Sequence, residues 1–409
     1  TEEYYLHLFS RRQPDLNWEN PQVREAVYEM MHWWLNKGID GFRMDVINMI
    51  SKTPGLPDAP VTGDGPYQWG GQYFLHGPRL LEFLGEMKER VLSRYDIFTV
   101  GEMPMATTEH AVDITHEERG ALNMLFHFEH VMLDHDRSGN LGKWRPSPLR
   151  LTELKRVMSG WQKELEDQGW NSLYLSNHDQ PRAVSRFGDD GRYRVESAKL
   201  LATFLHTLQG TPYIYQGEEI GMTNVHFSTI EDYRDIETLN FHREWVEKKG
   251  LDSASALAAI HAQSRDNART PVQWDASANA GFTTGTPWIK VNPNYLDINV
   301  GQARTDPSSV FHYYRKLIHL RREHSVIVYG RYDLLLEAHE QIYAYTRTLE
   351  DERLLVILNF SADTPVFALP THVRFTDRQL LIGNYPVDAD EEIKRLTLRP
   401  YEARVYRLK

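Results

Sequence analysis

The chain contains no cysteine. Disulfides, thiolate nucleophiles and cysteine-ligated metals are therefore excluded, and the absence fits a reducing compartment. It also lacks any apolar run of about 18 residues or more, the length a membrane-spanning helix needs. No signal peptide, internal repeat or low-complexity tract stands out. Positive charge is in deficit: 46 basic residues stand against 57 acidic ones, for a net charge of −11. That balance argues against nucleic acid or an anionic membrane as partner.

What is present is a long chain with ample core-forming material. It has 409 residues, 41% of them hydrophobic, enough for two or three domains. Trp, Tyr and Phe number 10, 21 and 16. Such a content serves core packing in most proteins and sugar stacking in some; composition leaves both open.

Helical and strand-like segments alternate. Asn20-Pro21 is an N-cap followed by a first-turn proline, and Gly38 is a stop signal. The strand "DGFRMDVI" follows. A helix expected from about Pro78 to Leu92 leads into the strand "DIFTVGEM". "ALNMLFHFEH" reads as a further strand. The helix "LRLTELKRVMSGWQKELED" precedes "NSLYLSNHD", and "RVESAKLLATFLHTLQG" precedes "TPYIYQGEE". This alternation predicts a parallel sheet covered on both faces, with chemistry at the C-terminal strand ends. Residues 226–264 read as a charged helical insertion. From Val326 the texture changes to alternating strands, "QIYAYTRTL", "RLLVILNF" and "EARVYRLK". The expected division is a catalytic α/β part over 1–325 and an all-β sandwich over 326–409.

Asp45, Glu102 and Asp179 stand at successive strand ends. One such carboxylate alone is most simply a salt bridge or a helix cap. Three that converge suit glycoside hydrolysis, which uses one carboxylate as nucleophile and a second carboxyl as acid and then base. A third can stabilise a cationic transition state.

"GFRMDVIN", "VGEMP" and "SNHDQPR" resemble three of the four signature regions of glycoside hydrolase family 13, the α-amylase family, in the family's order. "SRDNARTPVQWD" and "PDLNWENP" resemble its α-glucosidase and oligo-1,6-glucosidase branch. The resemblance implies a (β/α)8 TIM barrel and a retaining, exo-acting α-glucosidase that needs no cofactor. It implies Asp45 as nucleophile, Glu102 as general acid/base and Asp179 as the carboxylate that holds ring hydroxyls. His178, Arg269 and Arg265 correspond to sugar-binding residues, and Arg43 to the arginine beside the nucleophile. For Arg265 a loop-bracing ion pair with Asp266 is an equal alternative. The neighbouring carboxylates are expected to raise the pKa of Glu102. Val46, directly after the nucleophile, resembles the branch's α-1,6-preferring members; valine there is also simply a good strand residue.

The implied substrate is an isomalto-oligosaccharide, and the implied location cytoplasmic. α-1,4-Glucosidases and trehalose-6-phosphate hydrolases share the motifs. Sucrose isomerases carry an extra arginine-and-aspartate stretch that "HAQSRDN" lacks. The non-catalytic transporter heavy chains of the same fold normally have eroded acids. The family's first signature region has no match, so the first barrel strands and the inserted subdomain are expected to lie outside these residues. They would be supplied as a partner piece of the same barrel, by another polypeptide, by a nicked upstream fragment or by a portion outside this numbering. The loop where some relatives hold calcium or magnesium would lie with them; no metal site is expected here.

Overall fold

The computed structural model describes residues 3–63, 67–136 and 141–409. The chain divides into two compact units, Thr1–Glu129 with Glu164–Ser172, and His130–Lys163 with Leu173–Lys409.

In the first unit the helix Pro21–Asn36 begins where the Asn20 side chain accepts the Gln22 N–H at 2.9 Å. It turns Tyr28, Met31 and Leu35 inward. Gly38, at φ +91°, ends it in the left-handed region that glycine tolerates. Strand β1 (Gly41–Met44) follows. The helix Leu80–Arg90 buries Leu80, Phe83, Leu84 and Met87, one stripe at helical spacing. It leads to β2 (Phe98–Glu102), and the helix Thr108–Thr115 leads to β3 (Met124–Phe126). β2 pairs in parallel with both β1 and β3, and Leu125 bridges on to Asn171. At Gly41 a Cβ would lie 1.8 Å from the Phe98 carbonyl oxygen, so only glycine lets β1 approach β2 here.

β1 is shorter than "DGFRMDVI" suggests. It stops at Met44, and Asp45 and Val46 form a turn in which Val46 adopts φ +35° and ψ 44°. Arg43 thus lies on β1 and Asp45 just beyond its end.

In the second unit the helix Leu151–Glu164 buries Leu154, Val157, Met158 and Trp161. Strands β4 (Ser172–Leu173) and β5 (Thr211–Pro212) are only two residues long, much less than "NSLYLSNHD" and "TPYIYQGEE" suggest. Next to them the Tyr213 N–H donates to the Leu173 carbonyl at 2.8 Å. The helix Arg194–His206 is buried nearly all round, including Leu200, Phe204 and Leu205. Within 226–264 the helices are Ile236–His242, continuing as a π-helix to Lys248, and Ser253–Gln263. They close a core of their own with Val225, Phe227, Tyr233 and Ile289.

The β part starts at Arg331 rather than Val326. Residues Ser325–Tyr329 form a short helix that buries Val326 and Ile327. "SVIVY" has strand propensity, and burial of two of its side chains overrides it. The strands are β6 (Arg331–Leu335), β7 (Ile342–Leu349), β8 (Glu352–Asn359), β9 (Val366–Ala368), β10 (Arg378–Gly383), β11 (Arg395–Thr397) and β12 (Ala403–Leu408). A five-stranded antiparallel sheet, in the order β10-β12-β8-β7-β6, faces the β9-β11 pair across a core of Ile342, Ala344, Leu355, Ile357, Phe367 and Leu396. The other face of β7 meets helices of the same unit. The Tyr343 ring lies 5.2 Å from Phe204, and Arg347 donates to the Thr207 carbonyl at 3.2 Å. Both faces of β7 are covered, which is why the strand reads as continuously buried.

Candidate active site

Met44 of β1 and Gly101 of β2 are register partners, so Asp45 and Glu102 come next on adjacent strand ends. Arg43 pairs with Asp45 through one guanidinium nitrogen and with Glu102 through the other, the latter at 2.8 Å. The two carboxyls differ in environment. The Asp45 side chain is 73% exposed, that of Glu102 8%. The left-handed turn at Val46 aims its backbone N–H at Glu102 Oε2, at 3.2 Å.

Burial pushes the Glu102 pKa up to about 7, and its hydrogen bond with Asp45 adds to the rise. The charge of Arg43 and the Val46 N–H oppose this without prevailing. The expected direction is right, but burial leads and the neighbouring carboxylate comes second. A hydrogen bond between two carboxyls needs one proton, and it stays on the buried one.

In the second unit the loop after Ser176 is organised by its own side chains. Asn177 Oδ1 accepts the Asp179 N–H at 2.7 Å. Arg269 donates to Asp179 Oδ1 at 2.5 Å and, through Nε, to the His178 carbonyl at 2.8 Å. His178 Nε2 lies 3.3 Å from Asp179 Oδ2, and Arg265 stands 3.5 Å from Asp179. Asp179, His178, Arg269 and Arg265 thus gather in this unit, as Arg43, Asp45, Val46 and Glu102 gather in the other.

Arg265 does brace its loop, but not through Asp266. Its partner is Asp235, at 2.6 Å. Asp266 is occupied by the backbone N–H groups of Arg234, at 2.6 Å, and Asp235, at 2.9 Å. Burial would raise the pKa of Asp235, but hydrogen bonding and charge from Arg265, with the Thr238 donors, outweigh it and hold it below the usual range. Beside this pair Lys143 holds Glu237 at 2.6 Å, and Glu237 lies 3.4 Å from Arg265.

Two residues of this half escape a reading of the sequence. Asp235 carries only an N-cap signal, ahead of Ile236–His242, and it does cap that helix. Its second role as arginine anchor is tertiary. Arg182, the arginine of "SNHDQPR", is fully buried and donates to the carbonyls of Asn267, at 3.0 Å, Ala268, at 3.2 Å, and Gln216, at 2.5 Å. It ties the Asp179 loop to the Arg265–Arg269 segment. Glu218, another strand-end acid, bonds Ser176 in the core instead of joining the site. Among the described residues no group of three or more His, Asp or Glu side chains is placed to hold a metal ion.

Residues 1–330 match the family model of the alpha amylase catalytic domain, and residues 332–405 that of the maltogenic amylase C-terminal domain. The chain belongs to the alpha-amylase family. This glycoside hydrolase thus combines a catalytic domain of the TIM-barrel class with an all-β C-terminal domain. It is 63% identical to the oligo-1,6-glucosidase of Parageobacillus thermoglucosidasius, over all of this chain and 72% of that protein. It is 58% identical to the oligo-1,6-glucosidase of Halalkalibacterium halodurans, over 99% of this chain and 72% of the relative. The crystal structure of trehalose-6-phosphate hydrolase from Bacillus licheniformis superposes with a TM-score of 0.92 at 49% identity, over 99% of this chain and 72% of that one.

Proposed function

We propose that this alpha-amylase family member is a retaining, exo-acting α-glucosidase that releases terminal α-1,6-linked glucose from isomalto-oligosaccharides. The observation that carries the reading is the unequal carboxyl pair at the ends of β1 and β2. Asp45 is exposed and held by Arg43, whereas Glu102 is buried and keeps its proton up to about pH 7. Those are the states a retaining mechanism needs at the start.

Asp45 attacks the anomeric carbon while the bond from that carbon to the departing oxygen breaks. Glu102 gives its proton to that oxygen. In the second half Glu102 takes a proton from water, the water oxygen bonds the anomeric carbon, and Asp45 is released. Arg43 compensates the charge of Asp45 at the start and again at its release. The resemblance assigns the binding of sugar hydroxyls to Asp179, with His178, Arg265 and Arg269. No step calls for a metal or an organic cofactor.

The α-1,6 preference rests on the oligo-1,6-glucosidase relatives and on Val46. Activity on trehalose-6-phosphate is the second reading, favoured by the crystal-structure likeness. β1–β5 are, in this reading, strands of the barrel type, and the chain spans 72% of the length of its relative. Among the described residues no helix is long and apolar enough to cross a membrane. A cytoplasmic location belongs to the proposal and rests on the lack of cysteine.

A panel of isomaltose, maltose, trehalose-6-phosphate and sucrose, with the product anomer followed by NMR, tests this. Isomaltose should be the best substrate and α-glucose the first product. Initial β-glucose would overturn the retaining mechanism, and a preference for trehalose-6-phosphate the substrate.

A further inference from the structure

Asp45 and Glu102 each lead into a tight turn, and one side chain joins the two turns. Asn48 lies in the 3-10 turn Ile47–Met49 and is fully buried. Its Nδ2 donates to the carbonyl of Pro104, two residues past Glu102, at 2.7 Å. The same nitrogen lies 3.0 Å from His76 Nε2. The Asn48 carbonyl accepts the His76 N–H at 2.9 Å.

His76 is held in turn. Its backbone is left-handed, at φ +51°, and its ring stacks on His110 at 3.8 Å and 7°. His110 belongs to the capping box with Thr107 that starts the helix after the Glu102 turn. Burial first, then the neighbouring His110, pulls the His76 pKa down to about 4. The imidazole is therefore neutral, and its ring also faces the Pro104 and Met105 carbonyls. The Oδ1 of Asn48 is buried without a partner among the described residues. An orphaned buried oxygen costs stability, so an amide is a poor choice for filling this space. Its donor arm is what the site uses.

We propose that Asn48 is a positioning residue for the hydrolytic reaction, setting the placement of Glu102 relative to Asp45 through the Pro104 carbonyl. The inference rests on Asp45 and Glu102 acting as nucleophile and acid/base. Small misplacements of a catalytic pair cost up to about a hundredfold in rate, so this tie acts on kcat.

Two variants test it with isomaltose as substrate. Asn48→Leu fills the space and removes both donor and orphan; Asn48→Asp keeps the shape and loses the donor. Both should lower kcat by about ten- to a hundredfold, with KM changed less than about threefold. The alkaline limb of kcat/KM, which reports Glu102, should move to lower pH as the carboxyl leaves its hydrogen bond with Asp45. Asn48→Leu removes the orphaned oxygen but also takes the Asn48 donor from the buried Pro104 carbonyl, so its melting temperature should fall modestly. A kcat within twofold of the parent in both variants overturns the proposal. So does a lower kcat with an unmoved alkaline limb, which is the mark of a purely structural residue. Asp45→Asn, run alongside, separates this from the underlying reading: if it stays active, the assignment of the nucleophile fails, whatever Asn48 does.

Discussion

At the ends of β1 and β2, Arg43 pairs with two carboxyls, Asp45 and Glu102. Around the Asp179 loop Lys143, Arg265 and Arg269 stand against Asp179, Asp235 and Glu237. Arg43 serves both carboxyls of the first group, and the more buried acid keeps a proton. In the second, Arg265 and the Thr238 donors keep Asp235 ionised although its side chain has no solvent exposure. Burial acts on both groups and pushes both carboxyl pKa values up. The placement of cations decides which one yields. One group can thus exchange a proton during a reaction, while the other supplies a fixed charge pattern.

The strongest way to break this contrast is to remove the exchangeable proton. Glu102→Gln should lower kcat on isomaltose by on the order of 10²- to 10⁴-fold. A p-nitrophenyl glucoside, whose leaving group needs no proton, should lose much less in the glycosylation step. The alkaline limb near pH 7 should vanish from the kcat/KM profile. A variant that retains this limb would show that another group carries the proton.

Next in size is the second group. Asp235→Asn keeps an acceptor for the helix cap and removes the charge facing Arg265. Arg265 keeps Asp179 and Glu237 nearby but loses its closest ionised partner, which should cost about 2 kcal/mol, read from urea unfolding. The pH dependence of stability should carry opposite signs in the two groups. The folded pKa of Asp235 is depressed, so its contribution is present above the unfolded value and is lost as pH falls through the folded one. The folded pKa of Glu102 is raised from 4.5 to about 7. The folded state then binds the extra proton between those values, and stability declines as pH rises across that window. Asp235→Asn should flatten the acid side of the stability profile, and Glu102→Gln the stretch from about 4.5 to 7. If both variants flatten the same side, the contrast between the groups is wrong.

How much of this is legible in the sequence differs between the two groups. Asp45, Glu102 and Arg43 lie in short motifs on consecutive strands, and the strand order brings them together without any long-range information. Asp179, His178 and the two arginines are legible as motifs too, but what holds them is not. Asp235 lies 30 residues from its partner Arg265 and shows only a cap signal in its own neighbourhood. Arg182 reads as part of a motif, and its three carbonyl acceptors come from segments up to 86 residues away. The turn at Asp45-Val46 is hidden for another reason. Valine favours strands, and only the hydrogen bond from its N–H to Glu102 accounts for a left-handed conformation that β-branched residues avoid.

That turn gives the smallest and most selective prediction. Val46 contributes its backbone N–H to Glu102, so its side chain can change while the donor stays. Val46→Ala removes two methyl groups beside the nucleophile and relaxes some strain in a left-handed residue. kcat on isomaltose and its pH profile should therefore change little, because the contact to Glu102 is made by the main chain. The aglycone side of the pocket widens, and the ratio of kcat/KM for maltose to that for isomaltose should rise about tenfold, the scale on which pockets discriminate by small apolar volumes. A ratio that does not move would take Val46 out of linkage selection and leave it a single role, as the residue whose left-handed backbone donates to the acid.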